Sequence, residues 1–437
     1  MIERLVAAIR SRADGGDALW RQSEHTTVTF ESGRLKSCGV TEETGCNLRV
    51  VRGGKVGVAG TTTADLDDLL SRALASAELG ESVDIVFPRG GALPDVPTHD
   101  TTAADASLDR LTSIGAELVS RLTRPGCQIS VSIEREIATT RVVGTGGADA
   151  TYGATGVAVS VDLARFAGDD VLFLSDQYQG TDLPTARDLD AVVRTIDERY
   201  DRALTVVAPP EGALPVVFTP QGLSAILLPV RQALSGKVVL QGISPLGAKV
   251  GEAVFDAAFS LTDDPLLPHR PASRPIDDEG TPSARLPLVE RGVVRAFIYD
   301  LETAARARTR STGHGTRGTF GKPVVDYSNV VVGDAVLESG SSVLGGGLVA
   351  DVRDGLVIDE LIGVGQGNVI GGAFSHPVAL AYRIERGEIM GRVKDAAVAG
   401  NVYELLQRIA GFGTDGRWQG TRWSPSLLLE GVSVARR

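Results

Sequence analysis

The spacing of apolar residues changes character along the chain. Ile2, Leu5, Val6 and Ile9 recur at i, i+3, i+4 and i+7, which predicts a first helix ended by Gly15-Gly16. From Ala18 to Gly60 the pattern becomes alternation, rich in β-branched residues and cut by Gly33, Gly45 and Gly53-Gly54. Two or three hairpin-linked strands fit that pattern. Thr63 then precedes ADLDDLLSRALASAEL, where Leu66, Leu69, Leu70, Ala73, Leu74 and Ala77 share one helical face. Residues 80–106 are rich in Pro, Gly, Thr and Asp and read as a connector. A helix over Leu108–Leu122, long alternating strands around Gly144–Gly147 and a helix over Leu183–Leu204 follow. The first half therefore reads as two similar helix–strand–helix layers.

Ala208-Pro209-Pro210-Glu211-Gly212 marks the boundary between an N-terminal α+β domain, residues 1–207, and a C-terminal Gly-rich β domain, residues 208–437. The second domain opens with a strand over Leu214–Phe218. A helix capped by Thr219 comes next, with Leu223, Ile226, Leu227, Val230 and Leu234 inward. Beyond Gly236 the texture is strand-like to the end. Hairpins turn at Arg291-Gly292 and Arg386-Gly387, and Asn401–Ile409 is the one short late helix. The fold class expected is α+β, with a mostly antiparallel, barrel-like second domain.

Composition narrows the function classes. The 437 residues carry a formal charge of −11, which argues against a binder of phosphate backbones. The three cysteines, Cys38, Cys46 and Cys127, make no disulfide framework, so a reducing cytoplasm is expected. Neither a secretory signal nor a continuous apolar run long enough to span a membrane is present.

Most catalytic signatures are missing. HExxH, HExxxH, GxSxG and GxxxxGK[ST] do not occur, and no two of the five histidines share a short metal-ligand spacing. GVGQGNVIGG, residues 363–372, fails the dinucleotide spacing; Gly363, Gly365 and Gly367 instead suggest a surface where a backbone or peptide approaches closely. Asp263-Asp264 and Asp277-Asp278-Glu279 flank Pro and Gly, which predicts solvated turns. RSTGHGTRG places His314 between Arg310 and Arg317. It reads as an exposed cationic loop, either a solvated turn or a receptor for a carboxylate or peptide terminus. His376, before Pro377, reads as a structural histidine at a strand start.

Five segments in order carry a resemblance. SPLGAKVGEAVFDAAFSLTDDP, SRPIDDEGTPSARLPLVERGVVRAFIYDLETAARA, RSTGHGTRG, AAVAGNVYELLQRIAGFGTD and SPSLLLEGVSVA resemble the signature series of the TldD/PmbA family, whose older label is modulator of DNA gyrase. The resemblance implies a heterodimeric zinc metalloprotease acting on unfolded or modified peptides. In that scheme the TldD-type subunit carries HExxxH and a late cysteine ligand. The TldE/PmbA-type subunit lacks them and completes the substrate chamber.

This chain departs from the catalytic type. Aligned on its Ile-Leu-Leu, the helix ILLPVRQALSG has Pro229 and Leu234 at the two histidine positions and Val230 at the glutamate. No cysteine follows Cys127, Trp423 lies near the late-cysteine position, and His314 stands where the family has Asn. The resemblance thus implies a non-catalytic TldE/PmbA-like subunit with no cofactor of its own and zinc in an HExxxH-bearing partner. Its own contribution would be binding of peptide or partner through Arg310, His314, Arg317 and the 363–372 segment, without nucleic acid or membrane. Two alternatives stay open. One is a self-associating peptide-binding protein serving maturation of a peptide natural product. The other is an enzyme of different chemistry using His314, His376 and Asp277.

Overall fold

A computed structural model describes residues 2–336 and 344–437, with the side chains of Ile2 and Glu3 outside the described set. The strand-like texture expected over 337–343 also falls outside the described residues.

The first half runs α1 (Ile2–Arg12), β1 (Gly15–Glu31), β2 (Arg34–Arg52), β3 (Lys55–Thr61), α2 (Leu66–Glu78), α3 (Thr101–Ala104), α4 (Leu108–Leu122), β4 (Cys127–Gly144), β5 (Asp149–Ala167), β6 (Asp170–Gly180) and α5 (Ala186–Ala203). Its strands form one antiparallel sheet, β3-β2-β1-β4-β5-β6, so two three-stranded meanders meet at the β1–β4 pair. A half-barrel results. Each meander is flanked by a helix on either side in sequence, matching the two similar helix–strand–helix layers that the sequence suggests. Helix starts follow side-chain capping. Asp65, two residues after the expected Thr63, caps α2 by accepting from the Asp68 N–H. Thr185 and Asp188 form a reciprocal capping box on α5.

The second half begins with β7 (Val206–Val207), β8 (Gly212–Phe218), α6 (Ser224–Ala233), α7 (Gly236–Leu240), β9 (Leu261–Asp263), β10 (Leu286–Glu290), β11 (Val293–Val294), α8 (Leu301–Ala307), β12 (Gly315–Thr316), β13 (Val324–Val325) and β14 (Val330–Val332). After these come β15 (Asp354–Leu361), β16 (Ala373–Glu385), β17 (Glu388–Val393), β18 (Ala396–Asn401), α9 (Val402–Leu405), β19 (Ile409–Phe412), β20 (Arg417–Gln419), β21 (Arg422–Ser424) and β22 (Leu427–Arg436). One sheet takes the order β15-β8-β22-β18-β16-β17-β7, and the β15–β16 pairing closes it into a barrel. A second sheet runs β11-β10-β9-β14-β21-β20.

Several expectations need correction. Thr219 does not cap α6: its Oγ1 accepts from the Gly222 N–H at 3.2 Å and donates to Asp359 at 2.6 Å, one turn earlier. The late helix shortens to Val402–Leu405, capped by Asn401, and two further short helices, α7 and α8, precede it. The α8 helix has a signal that periodicity overlooks, since Asp300 and Thr303 form a capping box. Both predicted hairpins turn where expected, with Arg291 at φ 46° and Arg386 at φ 53° in the left-handed region.

The barrel strands explain why the second half reads as continuous apolar runs. Val216 and Phe218 of β8 face a core containing Ile226, Leu227, Val230, Ala233 and Leu234 of α6, while Val217 between them faces α4 and α5. The same alternation splits Leu356 and Ile358 from Val357, and Leu427 and Leu429 from Leu428. With both faces buried, no polar residue marks the period of two. The two halves thereby share one hydrophobic cluster.

Candidate functional site

Helix α6 and the glycine-rich segment, distant in sequence, line one cleft. The cavity has a volume of about 280 Å³ and is walled by Ala225, Leu228 and Pro229 on one side. Gly363, Gly365 and Gln366 form the second side, and Phe374 and His376 of β16 the third. Gly363, Gly365 and Gly367 have φ of 76°, 96° and 78°, a conformation that side-chain-bearing residues adopt at a cost. Gly367 is not on the cavity wall. The Tyr403 hydroxyl donates to the Ile370 carbonyl at 2.9 Å and the Pro229 carbonyl at 3.3 Å, holding the segment against the helix.

Pro229 lies inside α6. Having no N–H, it removes the helical donor that the Ala225 carbonyl would otherwise receive, and Ala225 is on the cavity wall. Val230 and Leu234 are fully buried in the barrel core. The three positions therefore present a proline ring and two sealed apolar side chains. None offers a metal lone pair or a base, so the residues present do not fit zinc. Among the described residues no group of three or more His, Cys, Asp or Glu is placed to hold a metal ion. Trp423 is buried on β21 and does not border the cleft.

His376 was expected to be structural, yet it borders the cleft. Its ring stacks on Phe374, with centroids 5.8 Å apart and planes at 16°, two residues away on the same strand face. Burial lowers its pKa below the ordinary 6.5, because desolvation disfavours the charged ring. The histidine alone gives no signal for this role. Only the fold places it beside the 363–372 segment.

The loop expected to be exposed is largely interior. His314 is 1% exposed; its Nε2 lies 3.0 Å from Asp263 Oδ2 and its Nδ1 lies 2.8 Å from the Thr312 carbonyl. Arg317 is also buried, and its Nη1 donates to Asp17 Oδ1 at 3.0 Å. Only Arg310 of the trio is exposed. The acidic turns are interior too: Asp263 and Asp277 are 0% exposed and Glu279 is 1% exposed.

These groups join the two halves. Arg49 of β2 donates Nη1 to Glu279 Oε1 at 2.5 Å and Nε to Asp17 Oδ1 at 3.1 Å, with a second bond from Nη2 to Asp17. Glu279 Oε2 accepts from the Leu301 N–H at 2.7 Å at the start of α8. Asp277 accepts from the N–H groups of Thr281 and Gly315 at 2.8 and 3.0 Å. Burial, opposed by Arg49 and reinforced by the neighbouring carboxylates, pushes Glu279 up to about 8. Burial pushes Asp277 up to about 6. Glu279 thus latches the second half to Arg49 of the half-barrel, while Asp277 and Asp278 brace the neighbouring turns by accepting from the N–H groups of Thr281, Gly315 and Arg317. Burial similarly pushes the Cys46 thiol up to about 11, which leaves it unreactive.

Comparison with known proteins agrees with this architecture. A family model described as the PmbA/TldA metallopeptidase C-terminal domain matches residues 211–436, and one described as PmbA/TldA metallopeptidase domain 1 matches residues 16–77. A metalloprotease of Methanothermobacter thermautotrophicus is 25% identical over 426 residues, 94% of this chain and 90% of that protein. A metalloprotease PmbA homolog of Haemophilus influenzae is 26% identical over 227 residues, 51% of this chain and 46% of that one. The crystal structure of TldE from Thermococcus kodakarensis shares the fold, with TM-score 0.88 and 22% identity over 99% of each chain.

Proposed function

The chain belongs to the PmbA/TldD family, and from that premise we propose that it is the non-catalytic, TldE/PmbA-type subunit of a peptide-processing pair. Its partner is an HExxxH-bearing zinc metallopeptidase chain, and this chain supplies part of the wall that holds an extended peptide. The observation that carries the reading is the replacement of both aligned histidines and the glutamate of HExxxH by Pro229, Val230 and Leu234, two of them sealed in the core. Zinc in the partner would supply the activated water and the polarised carbonyl; the residues here bind and orient.

The cleft suits an extended backbone. Ala373–Pro377 of β16 pair with β18 on one side, whereas β15 ends at Leu361, opposite Val378. The Ile362 N–H still donates to the Pro377 carbonyl at 2.9 Å. Beyond it, the edge of β16 opens on the cleft, where a peptide continuing the line of β15 finds main-chain partners. Leu228 and Pro229 offer an apolar floor for one of its side chains.

The test co-expresses the chain with an HExxxH partner and measures complex mass, zinc per subunit and peptide cleavage. The expected result is cleavage by the pair and none by this chain alone. Leu228→Trp, which fills the cleft, should weaken cleavage while leaving the pair assembled. One tightly held zinc with hydrolysis by this chain alone would overturn the reading, as would failure to associate with the HExxxH chain.

A further inference from the structure

Six arginines are buried among the described residues, and five of them meet a carboxylate. Arg49 pairs with Asp17 and Glu279, Arg135 with Glu24, Arg199 with Asp359, Arg317 with Asp17 and Arg392 with Asp170. Arg422 of β21 is the sixth. It is 7% exposed, and no Asp or Glu among the described residues pairs with it. A buried cation without a counter-charge is costly.

The charge that acts on Arg422 is a second cation. Burial and Arg231 of α6 push it down to about 10, so it still carries its charge at neutral pH. Arg231 is half-buried and has no ion pair among the described residues. Neutral groups hold both guanidiniums in place. Arg231 lies over the Tyr327 ring, 4.6 Å from its centroid, and the Tyr327 hydroxyl donates to the Arg231 carbonyl at 2.5 Å. Arg422 donates Nη2 to the Pro220 carbonyl. Arg422 Nε, Arg231 Nε, Ser424 Oγ and Gln419 Nε2 are buried with no hydrogen-bond partner among the described residues. Ser424 follows Arg422 by two on β21, and Gln419 stands opposite Arg422 on β20, so the three share one face of the hairpin. On that face Arg417, opposite Ser424, is matched: its Nη2 lies 2.7 and 2.8 Å from the two Asp176 oxygens.

Buried donors with a net positive charge and no acceptor call for an anion that brings several acceptor lone pairs. The place adjoins the cleft. Leu228 and Arg231, three apart on α6, are neighbours on one helix face, and Leu228 walls the cavity. We propose that Arg422, Arg231, Gln419 and Ser424 receive a carboxylate of the peptide held in that cleft. The inference rests on the peptide-binding reading for its ligand. A carboxylate accepts from both guanidiniums at once, which turns two repelling cations into a clamp. A peptide C-terminus and an acidic side chain offer the same pair of oxygens. Leu228 and Pro229 contact an uncharged part of the peptide, and the arginines select by charge one helical turn away. These are not the arginines of the 310–317 loop, of which Arg317 is already paired with Asp17.

The test titrates the full chain, by calorimetry at constant ionic strength, with one uncharged N-acetylated hexapeptide in three forms. These are the C-terminal acid, the C-terminal amide and the amide with one internal Glu. The acid or the Glu form should bind at least about tenfold tighter than the plain amide, through its charge-assisted hydrogen bonds. Whichever form does so identifies the source of the carboxylate. Arg422→Met and, separately, Arg231→Met should remove the preference and leave binding of the amide unchanged. Thermal melts check that each variant is folded, and half-buried Arg231 supplies the tolerated substitution where Arg422→Met unfolds the chain. Equal or undetectable binding of all three forms, or a preference that survives in the folded variants, would overturn the proposal. A preference that persists although the chain fails to associate with an HExxxH partner keeps this site and removes only the pairing. Assembly and cleavage without any preference among the three forms removes only this site.

Discussion

Removing the Arg49 guanidinium tests the latch between the two halves. Arg49 is 1% exposed and serves Asp17 and Glu279 together. In Arg49→Met, Asp17 keeps Arg317 at 3.0 Å, whereas Glu279 loses its one ion-pair partner among the described residues. The cost therefore depends on whether Glu279 is charged. Near pH 5.5 the carboxyl, held up to about 8 in the fold, is neutral with or without Arg49. The loss there is the hydrogen bonding of Arg49 to Asp17 and to the Glu279 carboxyl, about 2–3 kcal/mol. Above about pH 8 the native protein ionises Glu279 against Arg49, while the variant must hold the proton or bury a lone charge. Each further unit of upward shift adds about 1.4 kcal/mol, so the penalty should approach the roughly 3–5 kcal/mol typical of a broken buried pair. Urea unfolding of both proteins near pH 5.5 and pH 9, extrapolated linearly, measures the two penalties. A penalty that is flat or shrinks with rising pH, or stays below about 1 kcal/mol throughout, would refute the reasoning.

Other outcomes follow from the same geometry. Glu279 rises from 4.5 to about 8 on folding and Asp277 from 3.8 to about 6, so the folded state binds more protons over those windows. These two groups should make stability fall as pH rises from about 4 to about 8, and Glu279→Gln should flatten that slope in a pH series of thermal melts. Restoring the lost motif with Pro229→His, Val230→Glu and Leu234→His should destabilise the chain without stoichiometric zinc by elemental analysis, because Val230 and Leu234 are sealed in the core. Gly57→Ala should cost about 1–3 kcal/mol in urea unfolding, since its Cβ would lie 2.1 Å from the Ala73 carbonyl oxygen where β3 meets α2. Thr185→Ala should cost about 1 kcal/mol through loss of the α5 capping box.

Much of the fold is legible in the sequence where local forces decide it. The helix over Leu108–Leu122 carries its own apolar stripe and a Ser107 cap, and its bounds are those the periodicity predicts. The Arg291-Gly292 and Arg386-Gly387 hairpins are set by turn chemistry within four residues. The acidic and cationic loops are not legible in this way, because Asp277, Glu279, His314 and Arg317 read as solvated when each is taken alone yet are buried. Their burial depends on one another: Asp17 and Arg49 come from the first half, and Arg49 lies 230 residues from Glu279. No local pattern signals an ion pair whose members are desolvated together.

The sequence by itself determined the α+β class and the two similar layers of the first half, because residue type and short-range spacing suffice for these; the loss of ligand chemistry at positions 229, 230 and 234 is what the family resemblance implies once it supplies the alignment. Tertiary structure alone decided that Pro229, the 363–372 segment and His376 share one cleft, and that Glu279 forms an interior latch with Arg49. It also decided that Arg34–Thr44 is an edge. An alternating strand looks the same in sequence whether or not a neighbour lies beside it, because the missing hydrogen bonds belong to strand order and not to the residues.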